Sequence, residues 1–131
     1  MQNGVLKTAI LTFFLVTTPL EAHHSFAAEF DATRRVTLTG VVTRVDWGNP
    51  HVWFFVDVKD ETTGEVTNWG AETGAPNSLI RNGWTQNTLK IGMLVSFTGS
   101  LAKDGSNRVN ASRIFADGKR LDPASSENGT R

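Results

Sequence analysis

The dominant pattern along the chain is an alternation of apolar and polar residues, with β-branched and aromatic side chains at many of the apolar positions. This pattern is typical of β-strands. Turn segments rich in Gly, Asn and Asp, such as "DETTG" and "KDGSN", separate the patterned stretches. The pattern predicts strands within 36–47, 51–59, 65–72, 89–102 and 108–116, the fourth of these segments also containing a turn at Gly92.

The first of these strands changes phase along its length. Val36 and Leu38 share one parity, whereas Val41, Val45 and Trp47 share the other. A glycine, Gly40, lies at the change. Glycine inside a strand often marks a bulge or a sharp bend. We therefore predict a long first strand that bends at Gly40.

One short helix is predicted between the third and fourth strands, within 73–84. Pro76 suits a first helical turn, Leu79 and Ile80 give the helix an apolar side, and Gly83 can end it. Three strands, a helix and two strands form the element order of an OB-like five-stranded Greek-key barrel. We predict this fold, an all-β (small α+β) class. Another five-stranded barrel or a small sandwich fits the same periodicity and stays open.

The N-terminus has the charged, apolar and cleavable order of a secretory signal peptide. Lys7 precedes an apolar run, "TAILTFFLVTTPL" at 8–20, and Ala22 offers a small residue for the protease. A membrane-spanning helix needs about 20 apolar residues, and this run is shorter. We therefore predict a cleaved signal peptide over 1–22 and a periplasmic or secreted protein without a stable membrane anchor.

Two cleavage sites fit this signal peptide. Cleavage after Ala22 makes His23 the first residue of the mature protein, whereas cleavage after Ala27 removes both His23 and His24, and both alternatives stay open. The first leaves roughly 109 of the 131 residues, enough for one domain. The predicted parts are an N-terminal arm at 23–35, the OB-like domain at 36–121 and a polar, disordered tail at 122–131.

Four stretches of the chain resemble a known family. They are "HHSFAAEFD" at 23–31, "VTLTGVVTRVDWGNPHVWFFVDV" at 36–58, "NWGAETGAPNSLIRNGW" at 68–84 and "LKIGMLVSFTGSLAKDGSNRVNA" at 89–111. They are similar to the exported bacterial family catalogued as domain-of-unknown-function family 6152. The resemblance covers essentially the whole mature chain, including the paired histidines, and implies a small secreted or periplasmic domain. It brings no established activity, substrate or catalytic residue.

Charge and composition exclude several classes of function. Thirteen basic residues balance thirteen acidic ones, so no net charge attracts the protein to nucleic acid or anionic lipid. The chain has no cysteine, which excludes disulfides, thiolate metal sites and a cysteine nucleophile. No serine-nucleophile motif or glycine-rich phosphate loop is present, and we assign no catalytic residues.

The three histidines are the candidate metal ligands: His23, His24 and His51. Imidazole binds Cu, Ni and Zn, and a histidine at a free N-terminus adds its α-amino nitrogen. An arm of about a dozen residues can reach His51 at the start of the second strand. This arrangement predicts a site for Cu(II) or another divalent metal. Paired histidines near a cleavage site can also be solvated and without function, and a spacing of i and i+4 is absent.

Tryptophans form the second candidate constellation. A barrel of this size holds one or two of them in its interior, and the chain has four. The remainder could form a ligand-binding face with nearby polar residues, although core packing of all four also fits. The candidate residues of this face are Trp47, Asn49, Trp53, Trp69, Glu72, Arg81 and Trp84. Carboxylates at Glu72, and at Glu29 and Asp31 in the arm, could assist a metal.

Three hypotheses follow. The first is a non-enzymatic exported binding module with a copper or other divalent-metal site. The second is a metal-free adaptor whose tryptophan face binds an exported protein or a small ligand. The third is an enzyme that holds a redox copper on the same histidines. The sequence does not give the ligand, the partner or the oligomeric state.

Overall fold

The computed structural model describes residues 25–129, which form a mostly antiparallel β-sheet with a few short helices. The predicted residues His23 and His24 and the predicted signal peptide lie outside the described range. In chain order the elements are α1 (Phe26–Glu29), β1 (Phe30–Asp46), β2 (Trp53–Lys59), β3 (Val66–Glu72), α2 (Pro76–Arg81), β4 (Leu94–Ala102), β5 (Arg108–Ala116), β6 (Lys119–Leu121) and a 3₁₀ helix (Ser126–Gly129).

The strands pair in the order β3-β2-β1-β4-β5-β6, and β3 additionally pairs with β5 in parallel. The pairings of the first five strands therefore run in a ring from β1 through β2, β3, β5 and β4 back to β1. Strand β1 is 17 residues long; its first part, residues 30–41, pairs with β4, and its last part, residues 41–46, pairs with β2. The prediction of a small all-β fold, with one short helix between the third and fourth strands, is confirmed.

Strand β1 changes phase at Thr43, three residues beyond the predicted position. Val42 pairs with Val56 and Arg44 pairs with Phe55, so Thr43 is an extra residue in β1. The predicted bend at Gly40 is therefore wrong in its position, and Val41 is 42% exposed whereas Val42 is buried. Gly40 has a different role: a Cβ atom there would lie 2.3 Å from the carbonyl oxygen of Asp57. Only glycine permits this close approach of the two backbones.

The hydrophobic core lies on the inner face of the strands. Phe54 of β2 and Phe97 of β4 pack edge to face, with 5.3 Å between the ring centroids. Leu79 of α2 and Trp84, just after the helix, are buried in the same core. Gly83 has a φ of +86°, a left-handed conformation that ends a helix, as predicted.

The helices of the described range are short, four residues in α1 and six in α2. No helix within residues 25–129 is long and apolar enough to cross a membrane. Pro76 occupies the first turn of α2, where its missing N–H is not needed.

Part of the predicted N-terminal arm belongs to the sheet. Strand β1 begins at Phe30, six residues before the predicted first strand, and the Phe30 side chain is 2% exposed. Lys103, in the turn after β4, holds this part of the chain: its backbone N–H donates to Glu29 O and its Nζ donates to Ala27 O. The described part of the arm is therefore fixed to the β4–β5 end of the sheet.

Residues 122–127, which the sequence led us to expect in a disordered tail, pack against the sheet. Pro123 and Ser125 are buried. The N–H of Gly74 donates to Pro123 O at 2.8 Å, and Arg35 forms an ion pair with Glu127 at 2.7 Å. We call residues 122–127 the C-terminal segment.

Candidate functional site

The loop between β1 and β2 is joined to the end of β3. Val52 N–H donates to Gly74 O at 3.0 Å, and Thr73 N–H donates back to Val52 O at 2.9 Å. The hydroxyl of Thr73 also donates to Val52 O, at 2.8 Å. His51 directly precedes Val52, and Glu72 directly precedes Thr73. His51 and Glu72 are therefore brought together although 21 positions separate them in sequence.

His51 and Glu72 contact each other directly. The distance from His51 Nδ1 to Glu72 Oε1 is 3.0 Å, and the side chains are 30% and 5% exposed. A carboxylate on one ring nitrogen fixes the orientation and tautomer of an imidazole. In this geometry Nδ1 faces the carboxylate, so His51 would coordinate a metal through Nε2.

Glu72 is a buried carboxyl group. It lies on the outer face of β3, because its neighbour Ala71 faces the core, and yet it is only 4% exposed. Burial raises the pKa of Glu72 from 4.5 to about 7, and the negative charge of Glu29 acts in the same direction. The hydrogen bond from Asn110 and the positive charge of Arg108 lower that pKa.

Asn110 of β5 is the third member of this cluster. It is fully buried, and its Nδ2 donates to Glu72 Oε1 at 3.3 Å and to Ser126 Oγ at 2.9 Å. Its Oδ1 accepts a hydrogen bond from Ser125 Oγ at 2.7 Å. Asn110 was not among the site residues predicted from the sequence. The sequence feature that could have identified Asn110 is its polar side chain between two apolar residues, Val109 and Ala111, of a predicted strand.

The described arm approaches this cluster. Glu29 is close enough for its charge to affect Glu72, and it lies at the end of α1. Asp31 is not part of the cluster, since its carboxylate accepts hydrogen bonds from the Thr33 N–H and hydroxyl. The prediction that His23, His24 and His51 form one metal site stays a prediction. Within residues 25–129, no group of three or more His, Cys, Asp or Glu is placed to hold a metal ion.

A shallow groove lies next to His51 on the β1–β2 loop. Its volume is about 340 Å³. Trp53 stacks on Phe55 along β2, with 6.4 Å between the ring centroids. The groove thus combines three predicted ligand-face residues with one predicted metal ligand. Its lining consists of Asp46, Trp47, Gly48, Asn49, Pro50, His51 and Trp53.

The other predicted ligand-face residues do not line this groove. Trp69 is half-buried and packs against the core, and Arg81 is exposed at the end of α2, where it contacts Ser78 of the same helix. Trp84 is 4% exposed, and its Nε1 has no hydrogen-bond partner among the described residues. Trp84 is therefore a core residue and not part of an exposed face.

Residues 12–111 match the sequence model of DUF6152, a family of unknown function. The chain belongs to DUF6152. The matched range contains His51, Glu72 and Asn110 and ends before the C-terminal segment. No curated protein matches this DUF6152 chain. The description of the family states no activity, so the chemistry of the site must support any functional conclusion.

Proposed function

We propose that this DUF6152 protein is a non-enzymatic exported module that binds Cu(II) or another divalent metal through His51 and the N-terminal histidines. The observation that supports it best is the contact between His51 Nδ1 and Glu72 Oε1 at 3.0 Å. Histidine ligands in metal sites commonly donate their second ring N–H to a carboxylate. Export with cleavage after Ala22 gives His23 a free α-amino group, and nitrogen ligands of this kind suit Cu(II).

The position of the arm supports the participation of the N-terminal histidines. Glu29 is within electrostatic range of Glu72, and His24 precedes Glu29 by five positions. Because Phe26–Glu29 form a helix that rises only about 1.5 Å per residue, a short length of chain separates His24 from Glu29. An arm fixed at Phe30 and Lys103 can therefore bring His24 to the neighbourhood of His51.

Copper titration of the exported protein tests this proposal. The measured quantity is the Kd for Cu(II), for protein that begins at His23 with a free amine and for the same protein acetylated at that amine. Acetylation removes the α-amino ligand without adding a residue, so we expect weaker binding. An extended N-terminus is an unsuitable control, because it places His24 third in the chain and creates another copper chelate.

A variant in the β1–β2 loop tests the distant ligand. His51→Ala should weaken Cu(II) binding, whereas Asn49→Ala, a control in the same loop, should leave it unchanged. Because the histidines must lose their protons to bind, affinity should also fall as the pH drops through the histidine range, near 6.5 for an unperturbed side chain. Equal affinity for the free, acetylated and His51→Ala proteins would contradict the three-histidine site.

The groove supports a second candidate, a metal-free module that binds a small ligand or an exported protein. The groove places Trp47, Asn49 and Trp53 on one open surface. A library of small ligands should shift the indole NMR signals of Trp47 and Trp53 while leaving that of buried Trp84 unchanged. Shifts of all three indoles together, or of none, would argue against a site in the groove. Turnover of a reductant with oxygen by the copper-loaded protein would instead favour the enzyme hypothesis.

A further inference from the structure

The C-terminal segment is held on the sheet at three positions. Its start is bonded to Gly74, its middle to Asn110, and its end to Arg35. The fit against Gly74 is close, since a Cβ atom there would lie 2.4 Å from Ala124 O. Ala124 itself has a φ of +45°, a strained conformation for alanine. Such a conformation persists only where surrounding contacts determine it.

Two serines of this segment contact opposite ends of the Asn110 amide, and Ser125 Oγ itself accepts from the Glu127 N–H at 3.2 Å, which leaves its own proton for Asn110. Ser125 Oγ donates to the carbonyl end, Oδ1, and Ser126 Oγ accepts from the amino end, Nδ2. The amino end then also donates to Glu72 Oε1, the oxygen that contacts His51. A rotated amide would instead place Oδ1 against the carboxylate, and oxygen would face oxygen without a hydrogen bond.

We propose that the C-terminal segment is a positioning element, which orients Asn110 through Ser125 and thereby holds Glu72 against His51. The effect of this segment on metal binding rests on the proposed function. Its effect on the orientation of Asn110, Glu72 and His51 does not. Ser125 and Asn110 touch no metal in this scheme. They act through Glu72, which fixes the ring that would coordinate.

The test uses the metal-free exported protein, with the tautomer of His51 as its readout. At about pH 8, where Glu72 is largely ionised, ¹⁵N NMR of the ring should show a proton on Nδ1 in the wild type. Ser125→Ala removes the donor to Asn110 and should move part of the population to the Nε2–H tautomer. Ser78→Ala is the matched control, because it is the same change at a serine whose hydroxyl contacts Arg81 and not Asn110, and it should leave the tautomer unchanged.

A second variant covers the case in which Ser125→Ala fails to fold, which amide NMR dispersion would reveal. Ser126→Ala changes the other serine on the Asn110 amide, at a less buried position, and should produce the same tautomer shift. An unchanged His51 tautomer in every folded variant of the two serines would overturn the proposal.

Cu(II) titration of the same proteins separates this proposal from the proposed function. Outer-shell partners of a metal ligand typically alter affinity by 10–100-fold, so Asn110→Ala should weaken Cu(II) binding by about tenfold or more. Ser125→Ala should act in the same direction by a smaller factor. A tautomer shift in a protein that binds no Cu(II) would support the positioning role and contradict the metal-binding function. Tight Cu(II) binding with an unchanged tautomer would support the metal-binding function and contradict the positioning role.

Discussion

Glu72 should make the folded protein less stable as the pH rises toward neutrality. The perturbation is Glu72→Gln, which keeps the shape of the side chain and an oxygen acceptor but cannot ionise. In the folded protein the pKa of Glu72 is about 7, against an ordinary 4.5. Between these two values the folded state keeps a proton that the unfolded state has lost. Stability therefore falls as the pH rises through this interval and levels off above pH 7.

The size of the effect follows from the burial of the carboxyl group. The side chain is 5% exposed, so solvent screening does not reduce the effect appreciably. A pKa raised from 4.5 to about 7 corresponds to about 3 kcal/mol of stability lost across the interval. Among residues 25–129, His51 contacts Glu72 directly, and the charges of Glu29 and Arg108 act on it. All three are present in both proteins, so the difference between wild type and variant isolates Glu72 and its coupling to them.

The assay is urea unfolding, followed by tryptophan fluorescence, of both metal-free proteins from about pH 4.5 to about pH 8. The variant should gain about 3 kcal/mol of unfolding free energy relative to the wild type across that range. Parallel curves would refute the argument that burial keeps Glu72 protonated. A wild type that gains stability relative to the variant would show that attraction to a protonated His51 outweighs burial.

Two further predictions concern the fold. Trp84→Ala should cost about 3–5 kcal/mol of unfolding free energy, because Trp84 is a buried core residue; urea unfolding measures this, with Trp53→Ala, at a half-buried position, as the smaller comparison. Gly40→Val should cost about 1–3 kcal/mol, because its Cβ would overlap the Asp57 carbonyl oxygen. Gly48→Val is the matched control, since a Cβ there meets no atom within 4 Å; equal melting temperatures for the two variants would contradict the overlap.

The strands were predictable from sequence because burial on one face leaves an alternating pattern. The position of the irregularity in β1 was not. Val41 and Val42 are adjacent and equally apolar, so either could belong to the core face, and a slip of one residue exchanges the two faces. The structure places Val42 in the core and the extra residue at Thr43. The close approach of Gly40 to Asp57 depends on the distance between two backbones, which the alternation of apolar and polar residues does not reveal.

The hydrogen bonds of the candidate site were less predictable than the strands. His51 and Glu72 were each candidates, but their contact depends on the exchange between Val52 and the residues after β3. The composition of 122–131 favoured disorder because it offers little apolar surface to bury. The composition of this segment did not indicate that Ser125 would donate a hydrogen bond to the buried amide of Asn110. Hydrophobic patterning reports burial of apolar groups, whereas polar contacts between distant residues leave no periodic signal.

The position of Glu72 shows how the site depends on segments outside the five main strands. Glu72 alternates with core-facing Ala71, so its side chain lies on the outer face of β3, where solvent would normally keep a carboxylate ionised. It is nevertheless buried, because the β1–β2 loop places His51 against it and Asn110 contacts it from β5. The orientation of Asn110 depends in turn on the C-terminal segment, and Glu29 of the arm adds its charge. Substitutions in the loop, the arm or the C-terminal segment should therefore change the site while preserving the sheet when they alter a residue that interacts with His51, Glu72 or Asn110.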